Sequence, residues 1–364
     1  MTILHLVDTL GIGGAERMVA HLAKGFAQRG HRVAVACLYE GGPLAEPLEQ
    51  AGIPVHVLSK PKGLHLPTLW KLARIVRGSG AEAVHTHNPQ VHHYGVAAAK
   101  LGGAGVVVNT LHGANNLDGC GGAALLLYGA AGLGTGAIVA VSKASERFFE
   151  EVPYLPKGKL TVVYNGIPVE AFTKVGPPPG GGLTFGMVGR LVPIKDHGTA
   201  LEAFAEAVQR RPDVRLAIAG DGPAGESLRE QAVRLGVESR VRLHGAVSDI
   251  PSFLAGIDIY VMSSLSEGMP MSLLEAMAAA RPVVATAVGG IPEIVESSGC
   301  GWLCPSGDAR QLARAMLEAA GSAERAAKGA SGRAWVLRHC TLETMVDRYE
   351  RIFENLISGR RAAG

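Results

Sequence analysis

The chain is short of the features that usually announce a chemistry. Its 364 residues include five cysteines, Cys37, Cys120, Cys300, Cys304 and Cys340, an odd number with no CxxC pair. Cys300 and Cys304 are separated by three residues, a poor match to redox or zinc spacing, so the expectation is reduced, mostly buried thiols in a cytoplasmic protein. Charge is scarce: 18% of residues are charged and the formal net charge is +3, too little to argue for a nucleic-acid partner. What excess exists lies early, with 14 Lys+Arg against 11 Asp+Glu up to Phe172 and 21 against 21 afterwards. That mild bias suits an anionic substrate or membrane surface. The first residues do not read as a leader either. MTILHLVDTL has no basic region before its apolar run and passes straight into a Gly-rich turn, so it reads as a strand.

One stretch, Gly119 to Ser142, has no charged residue and is long enough to span a bilayer. It holds seven glycines and ends in Ala-Ile-Val-Ala-Val-Ser-Lys. That ending reads as a buried strand and a helix cap at Ser142, so a short Gly-rich helix plus a core strand is favoured over a spanning helix.

What the chain does have is 47% apolar residues, enough for sizeable cores, and length enough for two domains. Apolar runs at Ile3–Val7, Val33–Cys37, Val55–Leu58, Ala83–His85, Val106–Asn109 and Ile138–Val141 alternate with helical patterns such as Ala15–Arg29. The alternation pauses around Asn165–Pro168 and in the Pro/Gly loop Gly176–Gly182. It restarts with strands at Thr184–Val188, Arg215–Ala219, Val241–Leu243, Ile257–Met262 and Val283–Thr286. Helices are expected at Thr199–Arg210, Glu226–Leu235, Ile250–Ala255 and Met271–Ala279, with an amphipathic tail helix from about Ala334 to Ile357. Strand–helix alternation implies parallel sheets covered on both faces. The fold class expected is therefore α/β, two tandem Rossmann-like doubly wound domains facing across a cleft. Residues 1–172 and 173–340 are the expected domains, with a hinge near 172–182. Ligands of such sheets sit at the carboxyl ends of the strands.

Several candidates fall at those ends. In Ser266-Glu-Gly-Met-Pro-Met-Ser-Leu-Leu-Glu275, Pro270 suits a first helical turn, and the amides of Met271, Ser272 and Leu273 are free to bind phosphate. Glu267 and Glu275 flank that site, and a carboxylate can accept two hydroxyls of a sugar diol. Alternatively, both merely favour an N-terminal helix turn. Gly189 permits close approach, and Arg190 and Lys195 can converge on a diphosphate; alternatively they are two surface cations. Gly220 and Asp221 lie in a strand-end turn, a weak signal. Gly13 and Gly14 open the first helix, but the loop lacks Gly-Lys-Ser/Thr, and Glu16 stands where GxGxxG needs its third glycine. A dehydrogenase reading is correspondingly weak. Ten of the thirteen histidines precede residue 113. His85 and His87 share one side of a strand, with His92, His93 and His112 elsewhere, yet no clear ligand set emerges and no metal is assigned. His112 ends a strand at the ligand edge, where it can support developing charge or be satisfied locally.

Taken in order, these residues resemble family 4 of the retaining glycosyltransferases, the glycosyl transferases group 1 with the two-domain GT-B fold. Glu267 to Glu275 has that family's E-x7-E spacing. Gly13-Gly14-Ala15-Glu16 is similar to its N-terminal GGxE loop, and Arg29-Gly-His-Arg-Val33 to its following turn. Asn165-Gly-Ile167, Gly189-Arg190 with Lys195, Ala219-Gly-Asp-Gly222, Gly289–Ile294 and Gly299–Asp308 extend the match over nearly the whole chain. The resemblance implies that Arg190 and Lys195 hold the donor diphosphate beside the Met271–Leu273 amides. Glu275 binds ribose, Glu267 holds the transferred sugar, and His112 lies over its face. Gly14 approaches the diphosphate or acceptor side, and Gly13, Glu16 and His87 belong to the acceptor side. Residues 341–364 would form a helix crossing back to the first domain.

The departure is Thr135-Gly136, where many relatives carry Ala-Asp, in a Gly-rich region that shapes the acceptor side in relatives. The expected reaction moves a sugar from a nucleotide diphosphate sugar, UDP by default or GDP, to a glycan, lipid-linked or small-molecule acceptor, with no cofactor or metal. Peripheral contact with the inner face of a membrane is part of that expectation, the Leu125–Tyr128 segment reading more as core than as its anchor. Rival readings are a UDP-N-acetylglucosamine epimerase, an inverting transferase using Asp8 or Glu16 as base, and a non-catalytic nucleotide-sugar-binding subunit.

Overall fold

The computed structural model describes residues 1–113, 122–152, 155–178, 180 and 182–363. Cys120, Gly119–Gly121 of the charge-free stretch, and Pro179 and Gly181 of the Pro/Gly loop lie outside the described residues. The chain forms two compact units, Met1–Gly166 with Leu342–Gly364, and Ile167–Thr341.

The first unit is built on a seven-stranded parallel sheet: β1 (Thr2–Val7), β2 (Arg32–Cys37), β3 (Val55–Val57), β4 (Ala83–His87), β5 (Val106–Leu111), β6 (Ala137–Ala140) and β7 (Leu160–Val162). Their order is β3-β2-β1-β4-β5-β6-β7, so the sheet changes direction between β1 and β4. Helices α1 (Gly14–Gln28), α2 (Ala45–Glu49), α3 (Leu66–Ser79), α4 (Pro89–Gly102), α5 (Gly122–Leu133) and α6 (Lys143–Glu150) connect the strands. Alternation along β1 decides its two faces. Leu4 and Leu6 pack with Leu72, Val76 and Tyr94 of α3 and α4. His5 points the other way, toward Phe26 of α1.

The charge-free stretch resolves into α5 and β6, and Ser142 caps α6 by accepting from the Ser145 amide at 3.1 Å. Among the described residues, no helix is long and apolar enough to cross a membrane.

The second unit repeats the plan with β8 (Leu183–Val188), β9 (Val214–Ala219), β10 (Val241–Leu243), β11 (Ile259–Met262), β12 (Val283–Thr286) and β13 (Gly301–Cys304), in the order β10-β9-β8-β11-β12-β13. Its direction changes between β8 and β11. Helices α7 (Glu170–Thr173), α8 (His197–Arg210), α9 (Gly225–Arg234), α10 (Ile250–Ala255), α11 (Met271–Ala278), α12 (Ile291–Ser298), α13 (Ala309–Gly321) and α14 (Arg325–His339) complete it. Phe185, Phe204, Leu216, Ile218 and Met316 sit in its core.

Two expectations need correction. The division falls at Gly166/Ile167 instead of 172–182, because the following segment is tied to the second unit. Arg281 donates to the Gly176 carbonyl at 2.5 Å and Arg333 to that of Val175 at 3.4 Å. The tail is two helices, α14 and α15 (Leu342–Ala363). Between them Thr341 bridges to Ile167, and the Ile167 amide donates to the Cys340 carbonyl at 3.0 Å, which needs extended backbone.

Helix α15 belongs to the first unit. Its stripe of Met345, Val346, Tyr349, Phe353 and Ile357 is buried, at helical spacing. Arg29 pairs with Asp347 at 2.5 Å and Glu350 at 2.6 Å, and His31 reaches Glu350 at 2.6 Å. The hydrogen bond from His31, then that from Arg29, holds the Glu350 carboxyl below its ordinary range.

Candidate active site

The second sheet brings its strand-end loops together at its change of direction. Lys195 follows β8 and Glu267 follows β11, and the Lys195 ammonium pairs with Oε1 of Glu267. Ser264 also donates to that oxygen, at 2.7 Å. Ser263 fixes the Lys195 turn by donating to the carbonyls of Lys195 and Asp196 at 2.9 and 2.8 Å. Thr286 of β12 donates to the Ser264 carbonyl at 2.6 Å. The cation and the carboxylate are therefore placed by three adjacent strands.

Helix α11 starts beside them. Pro270 precedes it in extended conformation, φ −73°, and no side chain caps it. The first amides of such a helix have no intrahelical acceptor. Ser272 accepts from the Tyr260 hydroxyl at 2.8 Å. Burial, then the charges of Glu275 and Glu267, push that hydroxyl's pKa up, so both carboxylates act on one ring. Glu275 is 6% exposed, a rare setting for a carboxylate. Gly289 closes the far wall. Its φ is +54°, and a Cβ there would lie 1.7 Å from the Glu267 carbonyl oxygen. Backbone–backbone contact of this kind admits only glycine.

Gly189 and Gly220 touch in the same way. A Cβ on Gly220 would stand 1.8 Å from the Gly189 carbonyl oxygen. The Leu191 amide donates to the Asp221 carbonyl at 2.9 Å, joining the loops after β8 and β9. Arg190 and Asp221 are exposed on these loops.

The first sheet has its own ligand edge beside β1 and β4. Gly13 precedes α1, and Glu16 folds back over it. Gly14 is exposed, and a Cβ added to it would meet nothing within 4 Å. Asp8, at the end of β1, has a buried Oδ1 without a hydrogen-bond partner among the described residues, and burial, then the Glu16 charge, raises its carboxyl to about 6. His112 follows β5 and hydrogen-bonds through Nε2 to Nδ1 of His87 at 3.2 Å. His87 is expected on the acceptor side, and its surroundings are closed in this structure. It is 2% exposed, its other nitrogen is bonded to His5, and it stands behind His112. His92 is buried between Thr86 and Thr135, and His93 is exposed.

The sequence pattern does not single out Ser264, whose signal is a serine pair at the end of a buried strand. It also misses His5, hidden within an apolar run. Two surface cavities of the first unit, one lined by Thr2, Arg32 and Pro54 and one by Glu82, Gly105 and Arg360, lie at the amino ends of strands, away from both ligand edges.

Comparison with known proteins decides the family. The family described as "Glycosyltransferase Family 4" matches residues 12–171, and "Glycosyl transferases group 1" matches residues 182–321. The chain is a family 4 glycosyltransferase.

An Escherichia coli UDP-Gal:alpha-D-GlcNAc-diphosphoundecaprenol alpha-1,3-galactosyltransferase is 27% identical over 76% of this chain and 77% of that protein. A GDP-mannose-dependent alpha-(1-6)-phosphatidylinositol monomannoside mannosyltransferase of Mycolicibacterium smegmatis is 34% identical over 48% of this chain and 47% of its own. Anabaena HepE, solved in complex with UDP, shares the fold at TM-score 0.86 and 23% identity, covering 98% of this chain and 100% of that one. The GT-B class, two parallel-sheet Rossmann-like units, is thereby shown for this glycosyltransferase.

Proposed function

We propose that this glycosyltransferase transfers a hexose with retention from a UDP-sugar to a lipid-linked glycan acceptor. The observation that carries the reading is the convergence of Lys195, Glu267 and the α11 start at the direction change of the second sheet. In this reading Arg190, Lys195 and the Met271–Leu273 amides neutralise the leaving diphosphate. The two cations and the helix start supply that charge without a metal or other cofactor. Glu275 takes the ribose hydroxyls, Gly189, Gly220 and Asp221 line the nucleotide, and Glu267 holds the transferred sugar. The resemblance gives His112 to that sugar, Gly14 to the diphosphate or acceptor side, and Gly13 and Glu16 to the acceptor side.

Retention follows the family pattern. Oε1 of Glu267 is engaged by Lys195 and Ser264, which makes it a positioned hydroxyl acceptor and a poor nucleophile. The departing phosphate oxygen then takes the acceptor proton on the face from which it leaves. UDP is favoured over GDP by the UDP-Gal donor of the galactosyltransferase relative and by HepE, solved with UDP. The lipid-linked acceptor is suggested by the diphosphoundecaprenol of that same relative.

Surface chemistry of the first unit supports peripheral membrane contact. Leu64, Leu66 and Trp70 are 79%, 58% and 55% exposed at the start of α3, and Leu126, Leu127 and Leu133 are exposed on α5. Only Tyr128 of the Leu125–Tyr128 segment is fully inside. Between Glu49 and Asp118 the only acidic residue is Glu82, against six Lys and Arg. Exposed apolar side chains among cations suit an anionic lipid interface.

Product analysis tests the reaction. With UDP-hexoses and a lipid diphosphate sugar acceptor, the new bond should keep the donor's α configuration, and EDTA should leave turnover unchanged. An inverted product, or no transfer from any UDP-sugar, overturns the reading.

A further inference from the structure

A file of histidines crosses the first sheet. His5 on β1, His87 on β4 and His112 after β5 are joined ring to ring. His5 Nδ1 lies 3.1 Å from His87 Nε2, and His87 Nδ1 lies 3.2 Å from His112 Nε2. The rings meet edge to edge in nearly parallel planes, at interplanar angles of 22° and 20°. Phe26 of α1 closes the inner end beside His5. Burial alone holds His5 and His112 down to about 3, so both are neutral near pH 7. For His87 burial, then the neighbouring rings, acts in the same direction.

Proton counting then limits the states. A neutral imidazole carries one proton, and each ring-to-ring bond needs one. If His112 donates from Nε2, His87 must accept at Nδ1, donate from Nε2, and leave His5 accepting at Nδ1. All three rings are then protonated at Nε2. The other solution protonates all three at Nδ1. Mixed arrangements put two protons, or none, between a pair of rings.

Exchanging one solution for the other requires a proton to enter at one end and leave at the other. The ends are His112 Nδ1 and His5 Nε2, both buried without a hydrogen-bond partner among the described residues. We infer that His5 and His87 are positioning residues that tie the tautomer of His112 to their own, so that the three neutral rings at the ligand edge of the first sheet carry their protons on the same ring nitrogen. The consequence for transfer rests on the sugar-facing role of His112 proposed above. A ring so held presents a fixed dipole to charge developing on the sugar and needs no reorganisation in the transition state.

The test is nitrogen-15 spectroscopy of ring-labelled histidine in the full-length protein, with resonances assigned from His5→Phe, His87→Phe and His112→Phe variants. His5, His87 and His112 should all be neutral and protonated at the same ring nitrogen. In His5→Phe, the signals of His87 and His112 should shift toward a mixture of tautomers. His5 touches no ligand, so its kinetic effect must travel through the file. His5→Phe should lower kcat about fivefold with donor KM within about twofold, and His5→Gln, whose amide can donate to His87, should recover most of it.

Different protonation sites among the three rings overturn the inference, as do unchanged His87 and His112 signals in His5→Phe. His5, His85 and His87 also place one nitrogen each within 4.8 Å of the others. Zinc or copper bound at one equivalent and lost with His5→Phe would make those nitrogens ligands, and likewise overturns it. The spectra need no turnover, so failure of the glycosyl-transfer reading would show separately, as absent activity with the shared tautomer intact.

Discussion

At the residue scale, the site depends on a few charges held by backbone that cannot move. Lys195 is fixed through its carbonyl by Ser263 and through its ammonium by Glu267. Removing it takes away one of the charges that neutralise the leaving group. Lys195→Ala and Glu275→Ala should each lower kcat by about 100-fold while circular dichroism stays native. Near-normal turnover in both would refute the assignment. Asp8 offers a pH test. Its carboxyl is raised from 3.8 to about 6, so between those values the folded protein keeps a proton that the unfolded chain has lost. Stability contributed by Asp8 therefore falls as pH rises through that window. The Tm of Asp8→Asn relative to wild type should climb from pH 4 to pH 6 and then level off; parallel Tm profiles would show that Asp8 is not perturbed.

At the element scale, the strand-end loops are legible where backbone geometry is demanding and opaque where side chains are merely close. Glycines at 220 and 289 mark real backbone contacts, whereas a Cβ on Gly189 would meet only the Lys195 side chain at 3.9 Å, and the family resemblance singles out the same motifs. Gly220→Ala must push a Cβ against the Gly189 carbonyl, and should cost about 1–3 kcal/mol in denaturant unfolding. Gly14→Ala, with open space around it, should leave stability intact and reduce transfer only if that glycine lies against a substrate. Equal destabilisation by the two substitutions would contradict this distinction. Strands β1, β4, β5 and β9 were readable from apolar runs. The tail was not, because α14 and α15 share one amphipathic pattern across a break made by the Ile167–Thr341 bridge, a contact distant in sequence. The bonding of His87 was hidden for a related reason. Its spacing tells which face of β4 it occupies, but not that His5 and His112 already use both its nitrogens.

For the whole molecule, two doubly wound units were legible because strand–helix alternation repeats, whereas their limits were not, because contacts and not composition define them. Helix α15 completes the first unit's core. Its Tyr349 is 1% exposed and hydrogen-bonds Thr110 at 2.9 Å. Tyr349→Ala should destabilise that unit by about 3–5 kcal/mol, read as an earlier unfolding transition in calorimetry. A single unshifted transition would mean that the helix contributes little. The basic, apolar surface of α3 gives a molecular-scale expectation of its own. Trp70→Glu should reduce co-sedimentation with phosphatidylglycerol vesicles and spare transfer to a water-soluble acceptor. Undiminished sedimentation would remove that surface from the account.

The proposed transfer depends above all on the second unit gripping a nucleoside diphosphate between its cations and the start of α11. Calorimetric titration of UDP into the wild-type protein, Lys195→Ala and Glu275→Ala measures this directly. One-site binding by the wild type, weakened at least about tenfold by either substitution with the ligand-free Tm preserved, is the predicted result. Equal affinity for UDP in all three proteins, or no binding to the wild type, would contradict it.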